Sequence, residues 1–489
     1  MSDNTSSLEP FFNPQRIAII GASEKGLYPA GILQSLLEHG FTGEIYPVNP
    51  NRTAVFGLPA FSDAAHTPHP ADLAILTIPR QAVVPALAQC AQSGVKAAII
   101  ITAGFAEADA EGRRLQEEIS DLVKNSGLRV LGPNCAGLAN LPARVIAMRL
   151  PAPPRLGRVS FASQSGALMM SFYGLFADRC IGMDRLISFG NQVDVTISEG
   201  LMNLVEAPGS DVIAAFLEGL SDGGRFVAAA RRALEAAKPL VVLKSGRTEA
   251  GQRAAASHTA ALAGSDRVFQ AVCRQFGVSM VDDLNELVYT AHLFTYLKNT
   301  TRDRFNLAVV TQSGGLGSLT ADMCMQAGIH LPPLSSTMQE RLIALPHLLS
   351  YGKPGNPVDV RGAGLDRAPT VQTLQPFLED PDTDALLLLL AKPLSRPEDL
   401  ETAQAIVSVA SGSPKPVLVV WMGYRDYPAL QGRLASHILL EAGIPVFEQP
   451  GDCIRALGRY LNYTSFQKAW MADPEIQNDS VPARLPSFG

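Results

Sequence analysis

Two separated stretches of this chain have the same design. They are Arg158-Val-Ser-Phe-Ala-Ser-Gln-Ser-Gly-Ala-Leu168 and Asn306-Leu-Ala-Val-Val-Thr-Gln-Ser-Gly-Gly-Leu316. Each is a short apolar run that passes through Gln-Ser-Gly into a helical pattern. The likeness continues in the same order. Asn191-Gln-Val-Asp-Val195 answers Asn356-Pro-Val-Asp-Val360, and Asp211-Val-Ile-Ala-Ala-Phe-Leu217 answers Asp384-Ala-Leu-Leu-Leu-Leu-Leu390. Lys238-Pro-Leu-Val-Val-Leu-Lys-Ser-Gly246 answers Lys415-Pro-Val-Leu-Val-Val-Trp-Met-Gly423. A repeated tripeptide alone is unremarkable, but four motifs in one order argue for two copies of one fold. Strands alternating with helices make each copy an α/β unit with a parallel, doubly wound sheet.

The part before the duplication follows the same rule. Arg16-Ile-Ala-Ile-Ile-Gly21, Glu44–Asn49, Asp72–Thr77, Lys96–Ile101 and Leu128–Leu131 read as strands. Ile32, Leu33, Leu36 and Leu37 recur at helical spacing, with Gly40 suited to the C-cap. A first domain over 10–148 is expected, with copies over 155–300 and 303–470 and a mobile tail over 471–489. The Pro-rich segment Leu150–Arg155 marks the linker.

In open α/β sheets, ligands bind at the C-terminal ends of the strands. The unusual residues cluster there: Gly21-Ala22-Ser23, Pro47-Val48-Asn49-Pro50, Ile78-Pro79, Thr102-Ala103-Gly104 and Gly132-Pro133-Asn134-Cys135. The helix after Gly21 can offer N–H groups to a pyrophosphate. Ser23 replaces the second glycine of GxGxxG, and no carboxylate follows the second strand to hold a ribose. Lys25 and Arg52 instead suit an added phosphate, such as the ribose phosphate of coenzyme A or NADP.

Ser163, Gln164, Ser165 and Gly166 open a helix in the first copy; Ser313, Gly314 and Gly315 open its counterpart. Two such termini can hold a phosphate with backbone N–H groups and helix dipoles, or serve only as cap and turn. The copies differ where chemistry would sit. In the first, the strand ends in Glu218, and His258 follows in a loop of Gly and Ala; in the second, the strand ends in Ala391-Lys392, and His437 falls inside an amphipathic helix. A carboxylate on one imidazole nitrogen fixes the tautomer and leaves the other free to attack phosphorus. His258 is therefore the candidate nucleophile and Glu218 its partner.

Bulk properties exclude several classes. The 489 residues fit about three domains. A net charge of −6 offers no footprint for nucleic acid. No apolar run reaches the ~18 residues of a membrane span, and the polar N-terminus is unlike a signal peptide. The six cysteines form no CxxC pair, so no metal site or disulfide framework is indicated, and a reduced, cytoplasmic protein is expected.

The chain resembles the ADP-forming acyl-CoA synthetases of the succinyl-CoA synthetase superfamily, α-subunit type. Ile20-Gly-Ala-Ser23, Gly40–Pro50, Thr102-Ala-Gly-Phe-Ala-Glu107, Gly132-Pro-Asn-Cys135, Ser163–Leu168, Phe189-Gly-Asn-Gln-Val-Asp194, Leu217-Glu-Gly219, Ser257-His-Thr259, Ser313–Gly317 and Asn356-Pro-Val-Asp359 carry the match across nearly the whole chain. Ala260, Gln192 and Val193 depart from the family pattern. The resemblance implies a Rossmann-like CoA-binding domain and two flavodoxin-like succinyl-CoA-synthetase domains. It implies that His258 is phosphorylated, that Glu218 steadies it, and that the two serine-glycine turns hold the phosphate. Three domains account for the chain, so it also implies a separate ATP-grasp β-subunit binding ATP/ADP with Mg, and a hetero-oligomer acting on a small carboxylic acid. The alternatives are a non-catalytic CoA-binding protein and a nicotinamide-dependent oxidoreductase.

Overall fold

A computed structural model describes residues 8–150, 154–258, 265–297, 305–348, 354–361, 365–366, 368–394, 396–423 and 434–472. Of residues 255–258 and 368 it describes the backbone alone. The chain forms two compact units, one built mainly on residues up to Asp282, the other mainly on Asp283–Ala469.

The first unit holds two large sheets and a two-stranded antiparallel ribbon of Ala54–Val55 with Leu58–Pro59. Strands β1 (Arg16–Ile20), β2 (Glu44–Val48), β3 (Leu73–Leu76), β4 (Ala97–Ile100) and β5 (Arg129–Leu131) pair in parallel in the order β2-β1-β3-β4-β5. Each reads as a continuous apolar run because helices cover both faces, namely α1 (Leu27–Glu38), α2 (Arg80–Gln92) and α3 (Ala110–Ser126). Ala74, Leu76, Ala98 and Ile100 pack with Val83, Leu87, Leu115 and Ile119. Helix α3 starts where the Asp109 carboxylate accepts from Gly112 N–H and stops at Gly127, whose φ of +73° suits glycine.

The second sheet comprises β6 (Gly137–Asn140), β7 (Val145–Met148), β8 (Leu156–Ser163), β9 (Met183–Ser188), β10 (Val212–Leu217), β11 (Leu240–Lys244) and β12 (Ser279–Val281). Its order is β12-β11-β10-β8-β9-β6-β7. The hairpin β6–β7 falls inside the expected 10–148 span, yet it pairs antiparallel with β9 and so extends the second sheet. Helices α4 (Gly166–Asp178), α5 (Ile197–Glu206), α6 (Gly223–Glu235), α7 (Glu249–His258) and α8 (Asp266–Gln275) connect the parallel strands.

The second unit opens with α9 (Leu284–Tyr296), inside the span expected for the first copy. Then come β13 (Leu307–Thr311), α10 (Gly314–Gln326), α11 (Ser336–Ile343), β14 (Val358–Asp359), α12 (Ala368–Glu379), β15 (Ala385–Leu390), α13 (Pro397–Ser411), β16 (Val417–Trp421), α14 (Ala435–Glu441), β17 (Val446–Phe447) and α15 (Pro450–Ala472). The order β14-β13-β15-β16-β17 repeats β9-β8-β10-β11-β12 strand for strand. Leu386, Leu388, Val417 and Val419 form its core with Leu374, Phe377, Ala403 and Ile406.

Helix α15 runs to Ala472, so residues 471 and 472 are not tail; 473–489 lie outside the described residues. So do 151–153 of the linker. Among the described residues, no helix is long and apolar enough to cross a membrane.

Candidate active site

Parallel pairing brings the C-terminal ends of the parallel strands of each sheet to one edge, and in the first unit a cavity of about 760 Å³ opens between two such edges. One wall comes from the first sheet and the turn after it: Thr77, Ile101, Thr102, Ala103, Asn134, Cys135 and Ala136, with Tyr28 and Pro29 of α1. The other comes from the second sheet: Gln164, Ser165, Gly166, Ala167, Gly190, Asn191, Phe216, Glu218, Ser245 and Ala254.

The serine turn divides its labour. The buried Ser163 hydroxyl donates to the Ser165 carbonyl (2.8 Å) and accepts from Ser165 N–H (3.2 Å), which fixes the turn. Ser165 Oγ accepts from Leu168 N–H at 3.3 Å, a capping bond at the start of α4. Gln164 does not present its amide to the cavity as a free ligand. Its Oε1 accepts from the N–H groups of Glu218 and Gly219, and its Nε2 donates to the Gly219 carbonyl at 2.7 Å. It therefore braces the backbone that carries Glu218. Lys244, buried at the end of β11, donates to the carbonyls of Ser245 (2.8 Å) and Glu218 (3.5 Å); burial pulls its ammonium below the usual lysine range. Ser165, Gly166 and half-buried Glu218 thus remain at the wall.

The first-sheet loops are tightly internal. Gly21 has φ +91°, and a Cβ there would stand 2.6 Å from Ile78 Cγ2, so only glycine fits. Gly21 and Ala22 N–H both reach the Val48 carbonyl (2.9 and 3.2 Å). Asn49 Nδ2 donates to the Ala22 carbonyl at 2.8 Å, which ties the second strand's end to the first turn. Thr102 Oγ1 donates to the Ile78 carbonyl at 2.7 Å. Gly104 is spent: its N–H goes to Glu107 (2.7 Å) and its carbonyl accepts from Arg80 (2.8 Å). The Cys135 thiol faces the Ile100 carbonyl at 3.4 Å, and burial pushes it up to about 12, so it packs rather than reacts.

Of the cofactor residues expected from sequence, Thr102, Ala103, Asn134 and Cys135 line the cavity. Gly21, Ala22, Ser23, Pro47, Asn49, Pro50, Ile78, Pro79 and Gly104 lie outside its lining. Lys25 and Arg52 are also outside it and exposed. Sequence reasoning missed Tyr28, Thr77, Phe216 and Ser245, ordinary residues made neighbours by folding. It also missed Glu107, whose signal was available in Thr-Ala-Gly-Phe-Ala-Glu, and Asn191, which was available in the repeated Asn-x-Val-Asp.

His258 was expected in a loop, but it is the last residue of α7; alanines at 254–256 favour helix over the loop their small size suggested. Its side chain, with residues 259–264, lies outside the described residues. Ala254 lines the cavity, and position 258 follows one turn later on the same helical face.

In the second unit, Ser313 caps α10, its Oγ accepting from Leu316 N–H at 3.4 Å, while Gly314 and Gly315 form the exposed first turn. His437 accepts from Leu434 N–H at 3.4 Å through Nδ1, a local cap at the start of α14.

Residues 15–140 match the family model of a CoA binding domain, and residues 156–294 that of the succinyl-CoA ligase like flavodoxin domain. The chain is 34% identical over 458 residues to the α subunit of ADP-forming acetate–CoA ligase II of Pyrococcus furiosus, covering 92% of this chain and 96% of that one. It is 31% identical over 468 residues to the α subunit of ligase I from the same organism, covering 94% and 98%. Its fold is similar to that of the "dinucleotide forming Acetyl-coenzyme A synthetase 1" of Ca. Korarchaeum cryptofilum in complex with phosphate and ADP. The TM-score is 0.84, with 29% identity over 98% of this chain and 100% of that one.

Proposed function

The chain belongs to the family of ADP-forming CoA ligases, in its α-subunit form, and from that premise we propose a phosphohistidine relay centred on His258. A separate ATP-grasp β-subunit, holding ATP with Mg, phosphorylates His258 and releases ADP. The phosphoryl group passes to the carboxylate of a small acid, giving an acyl phosphate. The thiol of CoA then attacks the acyl carbon, and inorganic phosphate leaves. Each step is reversible. Splitting one displacement into several by a covalent intermediate lowers each barrier.

The observation that carries this proposal is that both walls meet at one shared cavity. The CoA-binding domain supplies one wall, while Ser165, Gly166 and Glu218 line the other, with Ala254 one turn before His258. The N-terminus of α4 offers backbone N–H groups and a helix dipole to a phosphoryl group. Glu218 orients the imidazole through one nitrogen. In the second unit, Ser313, Gly314 and Gly315 open a helix terminus of the same kind, suited to a phosphate. Among the CoA-binding residues, Lys25 and Arg52 suit the ribose phosphate, and Thr102, Ala103 and Asn134 the thiol-bearing arm. The oxidoreductase alternative is not favoured: Asn49, where a ribose-binding acid would stand, is bonded to the Ala22 carbonyl.

Mixing the chain with an ATP-grasp subunit and ATP labelled at the γ-phosphate tests the relay. An acid-labile, base-stable label is expected on this chain and should vanish in His258→Ala. Label that persists in the variant would rule out His258 as carrier.

A further inference from the structure

Glu107 sits in the turn between β4 and α3 and outside the cavity lining, yet it bonds both the loop that continues from one wall at Thr102 and Ala103 and Asn191 in the other wall. Its Oε1 accepts from the N–H groups of Gly104 (2.7 Å) and Phe105 (3.2 Å), closing the loop that starts at Thr102. Its Oε2 accepts from Asn191 Nδ2 at 2.5 Å, across from the first sheet's loop to the loop that follows β9. Asn191 donates as well to Gln116 Oε1 (2.8 Å), and its backbone N–H reaches the Pro133 carbonyl (2.9 Å). Thr102 and Ala103 face the cavity from one side, Asn191 from the other. Burial works to raise the Glu107 carboxyl, but the bonds from Asn191 and the loop amides outweigh it and hold the group below the ordinary glutamate range. An ionised carboxylate is therefore fixed at the seam by charge-assisted bonds, the stronger class of hydrogen bond.

We propose that Glu107 is a positioning residue for the CoA-dependent half of the reaction: it ties the loop at Thr102–Phe105 to Asn191 and so sets the spacing between the CoA-side wall and the wall that carries Glu218. This rests on the relay proposed above. Glu107 acts through the loop and Asn191 rather than through the Ser165–Gly166 turn, so its loss separates the two half-reactions. Glu107→Gln keeps the shape but turns an amide N–H₂ or a lost acceptor toward one of its donors. Adding Asn191→Asp restores a donor–acceptor pair with position 107 in the reverse sense, while giving up the bond to Gln116 Oε1.

The test uses the full chain with its ATP-grasp partner and compares wild type, Glu107→Gln, Glu107→Ala and the Glu107→Gln/Asn191→Asp double variant. For Glu107→Gln, labelling of His258 from ATP should stay within about twofold, while the KM for CoA rises about tenfold, the worth of one charge-assisted bond. The double variant should recover part of that loss, since the bond from Asn191 to Gln116 is given up. Equal falls in labelling and turnover, or an unchanged KM for CoA in Glu107→Gln, would overturn the proposal. Glu107→Gln is nearly isosteric, so it remains informative if Glu107→Ala fails to fold. If wild type takes no label at His258, the relay fails by itself; calorimetric titration of CoA into the chain alone then decides Glu107, about tenfold weaker binding in Glu107→Gln supporting it and equal binding refuting it.

Discussion

The two copies share a turn down to its hydrogen bonds and differ in what surrounds it. Ser163 and Thr311 each donate to the carbonyl of the serine two residues on, at 2.8 and 3.1 Å, and accept from its N–H at 3.2 and 3.1 Å. Ser165 and Ser313 each accept from the N–H three residues on, at 3.3 and 3.4 Å. Lys238 donates to the Val205 and Ala207 carbonyls at the end of α5, and Lys415 to the Phe377 and Asp380 carbonyls at the end of α12. The repeated Lys-Pro is thus a helix cap delivered by the start of the second strand after the helix, β11 for α5 and β16 for α12. After β10, however, stands Glu218 at a cavity; after β15 stands Lys392, paired with Asp399 (3.3 Å) and Asp366 (3.4 Å) and bonded to Thr402. The same turn serves two environments, so the turn alone does not specify chemistry; the residue closing the third strand of each copy, Glu218 or Lys392, distinguishes them.

Exchanging the outcomes at those two ends should give the largest contrast. Glu218→Gln is expected to slow phosphoryl transfer through His258 roughly a hundredfold, read as the rate at which label appears on the chain. Lys392→Met should do the opposite, leaving His258 labelling intact but costing about 3 kcal/mol in urea unfolding, because it strands the buried Asp399 carboxylate. A catalytic loss from Lys392→Met matching that of Glu218→Gln would erase the distinction.

The glutamines sharpen it. Gln164 is buried and accepts from two backbone N–H groups, whereas Gln312 is half-buried and bonds Ala391 N–H at 3.4 Å. Gln164→Ala is expected to cost about 2 kcal/mol and Gln312→Ala about 0.5 kcal/mol, since water can replace the latter. Denaturant midpoints of the two variants measure this, and equal shifts would mean the bracing role is common to both copies.

The capping lysines mark where the copies should agree. Lys238→Met and Lys415→Met should each lose about 1 kcal/mol, by the same melting experiment. A large inequality would show that the shared motif is not a shared device.

Much of the fold was legible before folding was considered. Buried parallel strands are continuous apolar runs, and Ile17–Ile20, Leu73–Leu76, Val212–Leu217 and Ala385–Leu390 were all visible as such. Gly21 was visible because a positive φ beside Ile78 admits little else. That the hairpin β6–β7 joins the second sheet was not legible because pairing partners are a long-range choice: nothing local to Gly137–Met148 names β9. Helix α7 was missed because a Gly/Ala-rich stretch has no apolar period, while alanine's propensity still favours helix.

By itself, then, the sequence determined the duplication, the order of strands and helices, and which ends of the strands would carry unusual residues, because apolar period, turn chemistry and caps act within a few residues. Only the tertiary structure decided that Gln164 braces Glu218 and that Glu107 meets Asn191. Those partners lie 54 and 84 positions apart. A hydrogen bond depends on where a side chain ends rather than where its residue sits in the chain, and that position is set only when the sheets have packed.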